Sequence, residues 1–156
     1  MTDAMPSPLA FGSRLRRLVD RLDREVLAIY QAAGVSFEPR CYAVFTTLKA
    51  HGPATVADLA ARLQVSSATI TQVRSALQAD GLVTTRADPL DSGRQQLMLT
   101  PKGAATALQL QPLWDAINTA TAQVLAEAAP DLLVGLESLV GALDDRSLQA
   151  RVNALL

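Results

Sequence analysis

Apolar positions set the frame of the chain. From Leu9 to about Ala33, Leu15, Leu18, Val19, Leu22, Val26, Ile29 and Tyr30 recur at spacings of three and four, the mark of an amphipathic helix. Arg14, Arg16, Arg17, Arg21 and Arg24 fall mainly on its other face, and Gly34 is placed to cap it. Residues 1–8, with two prolines among small polar residues, read as a loose arm. A second helix starts near Pro39, runs to about Ala50 and stops at Gly52-Pro53.

Two shorter helices follow. Thr55-Val56-Ala57-Asp58 resembles a capping box with Asp in the usual Glu place, opening a helix to about Leu63. After the brief break Gln64-Val65-Ser66, Ser66 caps a helix that ends at Gly81. Leu82 to Arg86 and Gln95 to Thr100 then alternate or branch as strands do. Asp88, Pro89, Asp91, Ser92 and Gly93 join them as turn formers, and Gly93 supplies freedom to turn at the tip. Thr100 as N-cap and Pro101 in the first turn start a long helix towards Ala128, with Pro112 placed to kink it. Pro130-Asp131 restarts the chain into a helix carrying Leu132, Leu136, Leu139, Val140 and Leu143. Asp144-Asp145 would begin a last short helix with Leu148, Val152 and Leu155.

The predicted class is therefore mainly α (α+β), a winged helix-turn-helix with helices on both sides. One domain spans residues 1–156, with the winged lobe at 38–102 and flanking helices at 9–34 and 103–156. The rival reading of the centre is a helical domain with an incidental hairpin.

Composition fits this picture. The chain is 49% hydrophobic, 19% charged and 4% aromatic, so it is neither a disordered polar chain nor an aromatic-rich sheet protein. Its net charge of -1 announces no nucleic acid globally. The distribution is less even: residues 58–102 balance Arg62, Arg74, Arg86, Arg94 and Lys102 against Asp58, Asp80, Asp88 and Asp91. From Gly103 on, Arg146 and Arg151 face Asp115, Glu127, Asp131, Glu137, Asp144 and Asp145. With Cys41 as the single cysteine no intrachain disulfide can form, which suits a reducing, cytoplasmic setting. No signal peptide is visible, and no apolar run approaches the ~18 residues of a membrane span.

The helix after the tight break carries the candidate chemistry. At about 100° per residue, Ile70, Val73 and Leu77 gather on one side as a core face. Ala68, Thr71, Gln72 and Ser75 gather on the opposite side, flanked by Ser67, Arg74 and Gln78. That outward face has short polar groups, an amide and a methyl but no carboxylate. Gln can pair with adenine, Ser and Thr can reach bases or phosphates, and Ala can touch a thymine methyl. Amides at the helix start around Ser66 and Ser67 suit a phosphate, and Thr69 beside them is a further DNA-binding candidate. In the hairpin, Arg94 near the tip and Arg86 at the other strand's end are candidates for the minor groove or backbone. Arg94 could equally pair with Asp88 or Asp91 and hold the turn.

These residues resemble the MarR family of bacterial winged-helix regulators. The likeness rests on Leu59-Ala60, Val65-Ser66, Thr69-Ile70-Thr71, Leu77 and Gly81-Leu82-Val83. It continues through Asp88-Pro89, Asp91, Arg94, Leu97, Leu99-Thr100 and Gly103. The resemblance implies a cytoplasmic homodimer built from the terminal helices, binding a pseudo-palindromic site in double-stranded DNA, most often as a repressor. It also implies release by a small phenolic or otherwise lipophilic effector held where the dimer helices meet the lobe. The chain departs from the family pattern in two places. The wing arginine stands one residue late, with Gly93 in its usual place, and Gln72 stands near a position that is often basic.

Three further residues admit more than one role. Cys41 could sense oxidants, as in some relatives, or be a small buried hydrophobe. His51 closes a helix, where it would face terminal carbonyls and the dipole. Trp114 could line a ligand pocket or fill the dimer core. No nucleophile–base pair, phosphate loop or carboxylate dyad is evident, so we expect no enzyme, no cofactor, no metal and no membrane partner. A winged-helix module that binds another protein and no longer reads DNA is the main alternative function.

Overall fold

The computed structural model describes residues 8–156. The expected loose arm lies outside the described residues except for Pro8, which opens a single 3-10 turn, Pro8–Ala10. Helix α1 then spans Phe11–Ala32. It ends as its sequence proposes: Gly34 takes a φ of 70°, and the amides of Gly34 and Val35 donate to Gln31 and Tyr30. A side chain at Gly34 would be strained in that left-handed backbone.

A 3-10 turn at Pro39–Cys41 leads into α2, Tyr42–His51. Helix α3, Val56–Leu63, starts in a complete capping box. The Asp58 N–H donates to Thr55 Oγ1 at 3.1 Å, while the Thr55 N–H donates to Asp58 Oδ2 at 3.2 Å. Helix α4, Ser67–Ala79, follows Gln64, whose φ of 54° makes the tight corner. Gly81 closes α4 with a φ of 71°.

The sheet has three strands where the sequence predicts two. Ala54–Thr55 forms β1, Val83–Ala87 forms β2 and Gln95–Leu99 forms β3, all antiparallel in the order β1-β3-β2. Strand β1 pairs Ala54 with Leu97 and Thr55 with Gln96. Two residues are too few to show a period of two, so its backbone pairing leaves no sequence mark. The core beneath is built by Tyr30, Phe37 and Phe45, whose rings meet edge to face. Leu59, Ile70, Val73, Leu77, Leu82, Val83 and Leu97 complete it, all buried.

Helix α5 spans Pro101–Ala128 and is continuous through Pro112. Thr100 caps it, accepting from the Gly103 N–H at 2.9 Å. The chain divides into two compact units, one ending at Gln111 and one beginning at Pro112. In the second unit α6 spans Leu132–Asp145 and α7 spans Leu148–Asn153. Asp144 and Asp145 belong to the end of α6 and do not start α7. Its cap is Ser147, whose Oγ accepts from the Ala150 N–H at 3.2 Å. Trp114 is buried in this second unit.

Candidate nucleic-acid interface

Helix α4 divides into faces as its periodicity requires. Ile70, Val73 and Leu77 are each at most 3% exposed. Ser66, Ser67, Ala68, Thr69, Gln72 and Ser75 are exposed, while Thr71 and Arg74 are half-buried. No acidic side chain interrupts the helix from Ser67 to Ala79.

The hydroxyls on this surface are largely committed. Ser66 Oγ accepts from the Thr69 N–H at 3.1 Å and shares a hydrogen with Thr69 Oγ1 at 2.9 Å. Thr71 donates to the Ser67 carbonyl at 2.9 Å, and Ser75 donates to the Thr71 carbonyl at 3.0 Å. Each hydroxyl has one hydrogen, so Thr71 and Ser75 present lone pairs outward, ready for a base amino group. With the Thr69 amide taken by its cap, the Ser67 and Ala68 amides remain at the helix start to receive an anion. The Gln72 amide and the Ser67 hydroxyl have no hydrogen-bond partner among the described residues. Arg74 Nε is buried without a hydrogen-bond partner.

The start of α5 fixes the far end of α4. Thr100 Oγ1 donates to the Gly81 carbonyl at 2.6 Å, Lys102 Nζ to the Asp80 carbonyl at 2.7 Å, and the Thr100 N–H to the Leu82 carbonyl at 3.0 Å. These bonds satisfy carbonyls that a helix end otherwise leaves bare. Lys102 joins the site in a role that the sequence pattern does not announce. A lysine one turn into a helix whose N-cap follows a strand is a weak signal for it.

The wing is held by its own side chains. Asp88 Oδ1 accepts from the Leu90 N–H at 2.9 Å, and Asp91 Oδ1 accepts from the Gly93 N–H at 3.0 Å. The Asp88 amide donates to the Arg94 carbonyl, closing the loop at 2.9 Å. Gly93 is not in the left-handed region occupied by Gly34, Gly52 and Gly81, so the expected freedom to turn at Gly93 is not what bends the tip. The two aspartates do that. Arg94 forms no ion pair with Asp88 or Asp91: the pairs among the described residues are Arg21–Glu25 and Arg40–Glu38. Asp58 stands at the start of α3. There the Thr55 hydroxyl and amide, with smaller pulls from Arg94 and Arg62, hold the carboxyl below its ordinary range. Arg86 is pinned on the sheet, its Nε and Nη2 each donating to Gln96 Oε1 at 3.3 Å. No hydrogen bond or ion pair joins the α4 group to the wing group among the described residues.

An apolar groove lies on the same unit. It is lined by Leu48 and Lys49 of α2, Gly52 and Pro53, Met98 and Leu99 of β3, and Ala104, Ala107 and Leu108 of α5, and holds about 400 Å³. Lys49 Nζ is hydrogen-bonded to Gln111 Oε1 beside it. His51 is the last residue of α2. Cys41 is 2% exposed. Burial first, and the Glu38 carboxylate second, push its thiol up to about 11, against a smaller opposing pull from Arg40. At neutral pH it is a thiol with little nucleophilic character, which argues against an oxidant sensor. Among the described residues no cluster of three His, Cys, Asp or Glu side chains could hold a metal, and no helix is long and apolar enough to cross a membrane.

Comparison with known proteins gives these features a context. A family model described as MarR family matches residues 34–92. No curated protein matches the sequence. Among solved structures, a probable transcriptional regulator from Pseudomonas aeruginosa is 28% identical, with 85% of this chain and 96% of that chain covered at a TM-score of 0.62. PcaV from Streptomyces coelicolor, solved with its natural ligand, is 23% identical, covering 94% and 98% at a TM-score of 0.65. BpsR from Bordetella bronchiseptica, whose DNA binding is regulated by 6-hydroxynicotinic acid, is 23% identical, covering 90% and 99% at a TM-score of 0.63. In the matched segment and in the fold shared over most of its length, the chain is similar to the MarR family of winged-helix transcription regulators.

Proposed function

We propose that the chain is a homodimeric regulator that binds a pseudo-palindromic operator and acts as a repressor. The observation that carries this reading is the outward face of α4. It is free of carboxylates, exposes the Gln72 amide and turns the lone pairs of Thr71 and Ser75 outward. A solvated helix of no special purpose usually mixes acids and bases there. In the complex, Ser66, Ser67, Ala68, Thr69, Thr71, Gln72, Arg74 and Ser75 would meet the major groove and its flanking phosphates. Arg86 and Arg94 would serve the backbone and minor groove.

Exposed apolar side chains support the dimer. On α1, Phe11, Val19 and Leu22 are 50%, 54% and 47% exposed; on α6, Val134 and Leu143 are 69% and 48% exposed. Neither α6 nor α7 contains a buried residue. Apolar surface of this extent marks an interface, and a second copy of the chain is the simplest partner.

The groove beside Lys49 suits a small lipophilic or phenolic effector. Apolar walls would bury a ring, and a lysine at the rim would favour an anionic substituent. Met98 and Leu99 tie the groove to the wing, and Ala104 and Ala107 tie it to the helix that clamps α4. An occupant that changes either contact would alter half-site spacing and release DNA.

The test is an anisotropy titration of a duplex enriched by the protein from a random library, repeated at several salt concentrations. Tight binding should weaken steeply as salt rises. Gln72→Ala should relax preference at one base pair per half-site by ~1–3 kcal/mol. An unchanged preference would remove Gln72 from the readout.

A further inference from the structure

The outermost apolar group of the wing is not a charge but Leu90, which is 97% exposed. It follows Pro89, itself exposed. The segment is well built: the Leu90 N–H is held by Asp88 Oδ1 at 2.9 Å, the Gly93 N–H by Asp91 Oδ1 at 3.0 Å, and the Arg94 N–H by the Asp91 carbonyl at 2.9 Å. Proline ahead of Leu90 fixes one more backbone angle. The turn thus spends its polar groups on its own amides and leaves a leucine with nothing to pack against. Arg94 lies just before β3, at the base of the turn, where its carbonyl accepts from the Asp88 N–H.

We infer that Leu90 is a further DNA contact of the wing beside its arginines, an apolar side chain set against the sugar walls and base edges of the minor groove. The inference rests on the DNA-binding reading above. Apolar side chains recur as minor-groove contacts, because the groove walls are deoxyribose carbons and need no hydrogen-bond partner. An ordered turn suits this use, since little freedom is lost on docking. Leu90 would therefore add affinity without adding a charge, leaving the salt dependence to other residues.

The experiment compares the full-length protein with Leu90→Ser and Leu90→Met on the duplex that the unaltered protein enriches from a random library. Binding is read by anisotropy and by hydroxyl-radical footprinting, which reports sugar exposure in the minor groove. Because Leu90 is exposed, both variants should keep the thermal midpoint of the unaltered protein. Leu90→Ser should bind about tenfold more weakly, with an unchanged salt slope and lost protection at the outer edges of the site. Leu90→Met should retain affinity and protection. Full affinity and protection in Leu90→Ser would overturn the Leu90 contact while DNA binding stands. A lower salt slope would also overturn it, by assigning the loss to a phosphate. Failure of the unaltered protein to enrich or bind any duplex would remove both readings together.

Discussion

Gly103 shows how tightly one residue can be specified. It is buried in the first turn of α5, and a Cβ there would lie 2.1 Å from the Leu82 carbonyl oxygen. The approach is this close because Thr100 and Lys102 draw the start of α5 onto the carbonyls that end α4. Both sides are backbone, so neither can swing away. Gly103→Ala should therefore cost ~2 kcal/mol or more, read as a clear fall in the thermal midpoint; an unchanged midpoint would mean that the clamp is not rigid. Asp58 gives a second prediction at this scale. Thr55 holds its carboxylate, so the folded state releases the proton at lower pH than the unfolded chain does. The stability it contributes is fully present above about pH 5 and is lost as pH falls below about pH 4, through the folded value. The gap between the urea midpoints of the unaltered protein and Asp58→Asn should thus shrink from pH 7 to pH 3. A gap that widened on acidification would contradict the capping role. The Thr55–Asp58 box was legible in the sequence because caps are local. The close approach of Gly103 to Leu82 was not, because that contact joins residues that only the fold brings near.

Elements differ in how openly they are written. Helix α4 could be read to its faces: Ile70, Val73 and Leu77 are buried and Ala68, Gln72 and Ser75 are exposed, because a period near 3.6 survives any tertiary setting. The hairpin was legible from its turn formers, but its mechanism was not. Gly93 looked like the hinge, whereas the Asp88 and Asp91 side chains shape the turn. Strand β1 escaped notice because it is two residues long and exists only through β3. At the end of the chain, Ser147 caps α7 where two aspartates seemed to. Asp144 and Asp145 instead prolong α6, whose hydrogen bonds outlast the apolar stripe. The candidate site was legible on α4, where helical geometry projects side chains predictably. On the wing it was not, since a one-residue shift at a turn redirects a side chain. The exposed Leu90 between Asp88 and Asp91 is a result of that geometry.

At the scale of the molecule, two copies are what the account requires. Among the described residues, the half-exposed apolar side chains of α1 and the unburied α6 and α7 are left uncovered. Composition alone could not show this, because an apolar stripe looks the same whether it faces a core or a second subunit. The net charge of -1 likewise concealed the interface, since acids outnumber bases after Gly103 while α4 has no acid at all. A two-fold dimer carrying two α4 helices should read two related half-sites, spaced by about one turn of DNA or ~10 bp. The most direct measurement is enrichment of a random duplex library by the purified full-length protein, followed by sequencing. The account predicts an inverted repeat with half-site centres ~10 bp apart or a multiple of that spacing, bound by a dimer. Absence of any enriched sequence, or enrichment of a single unrepeated half-site by a monomer, would contradict it.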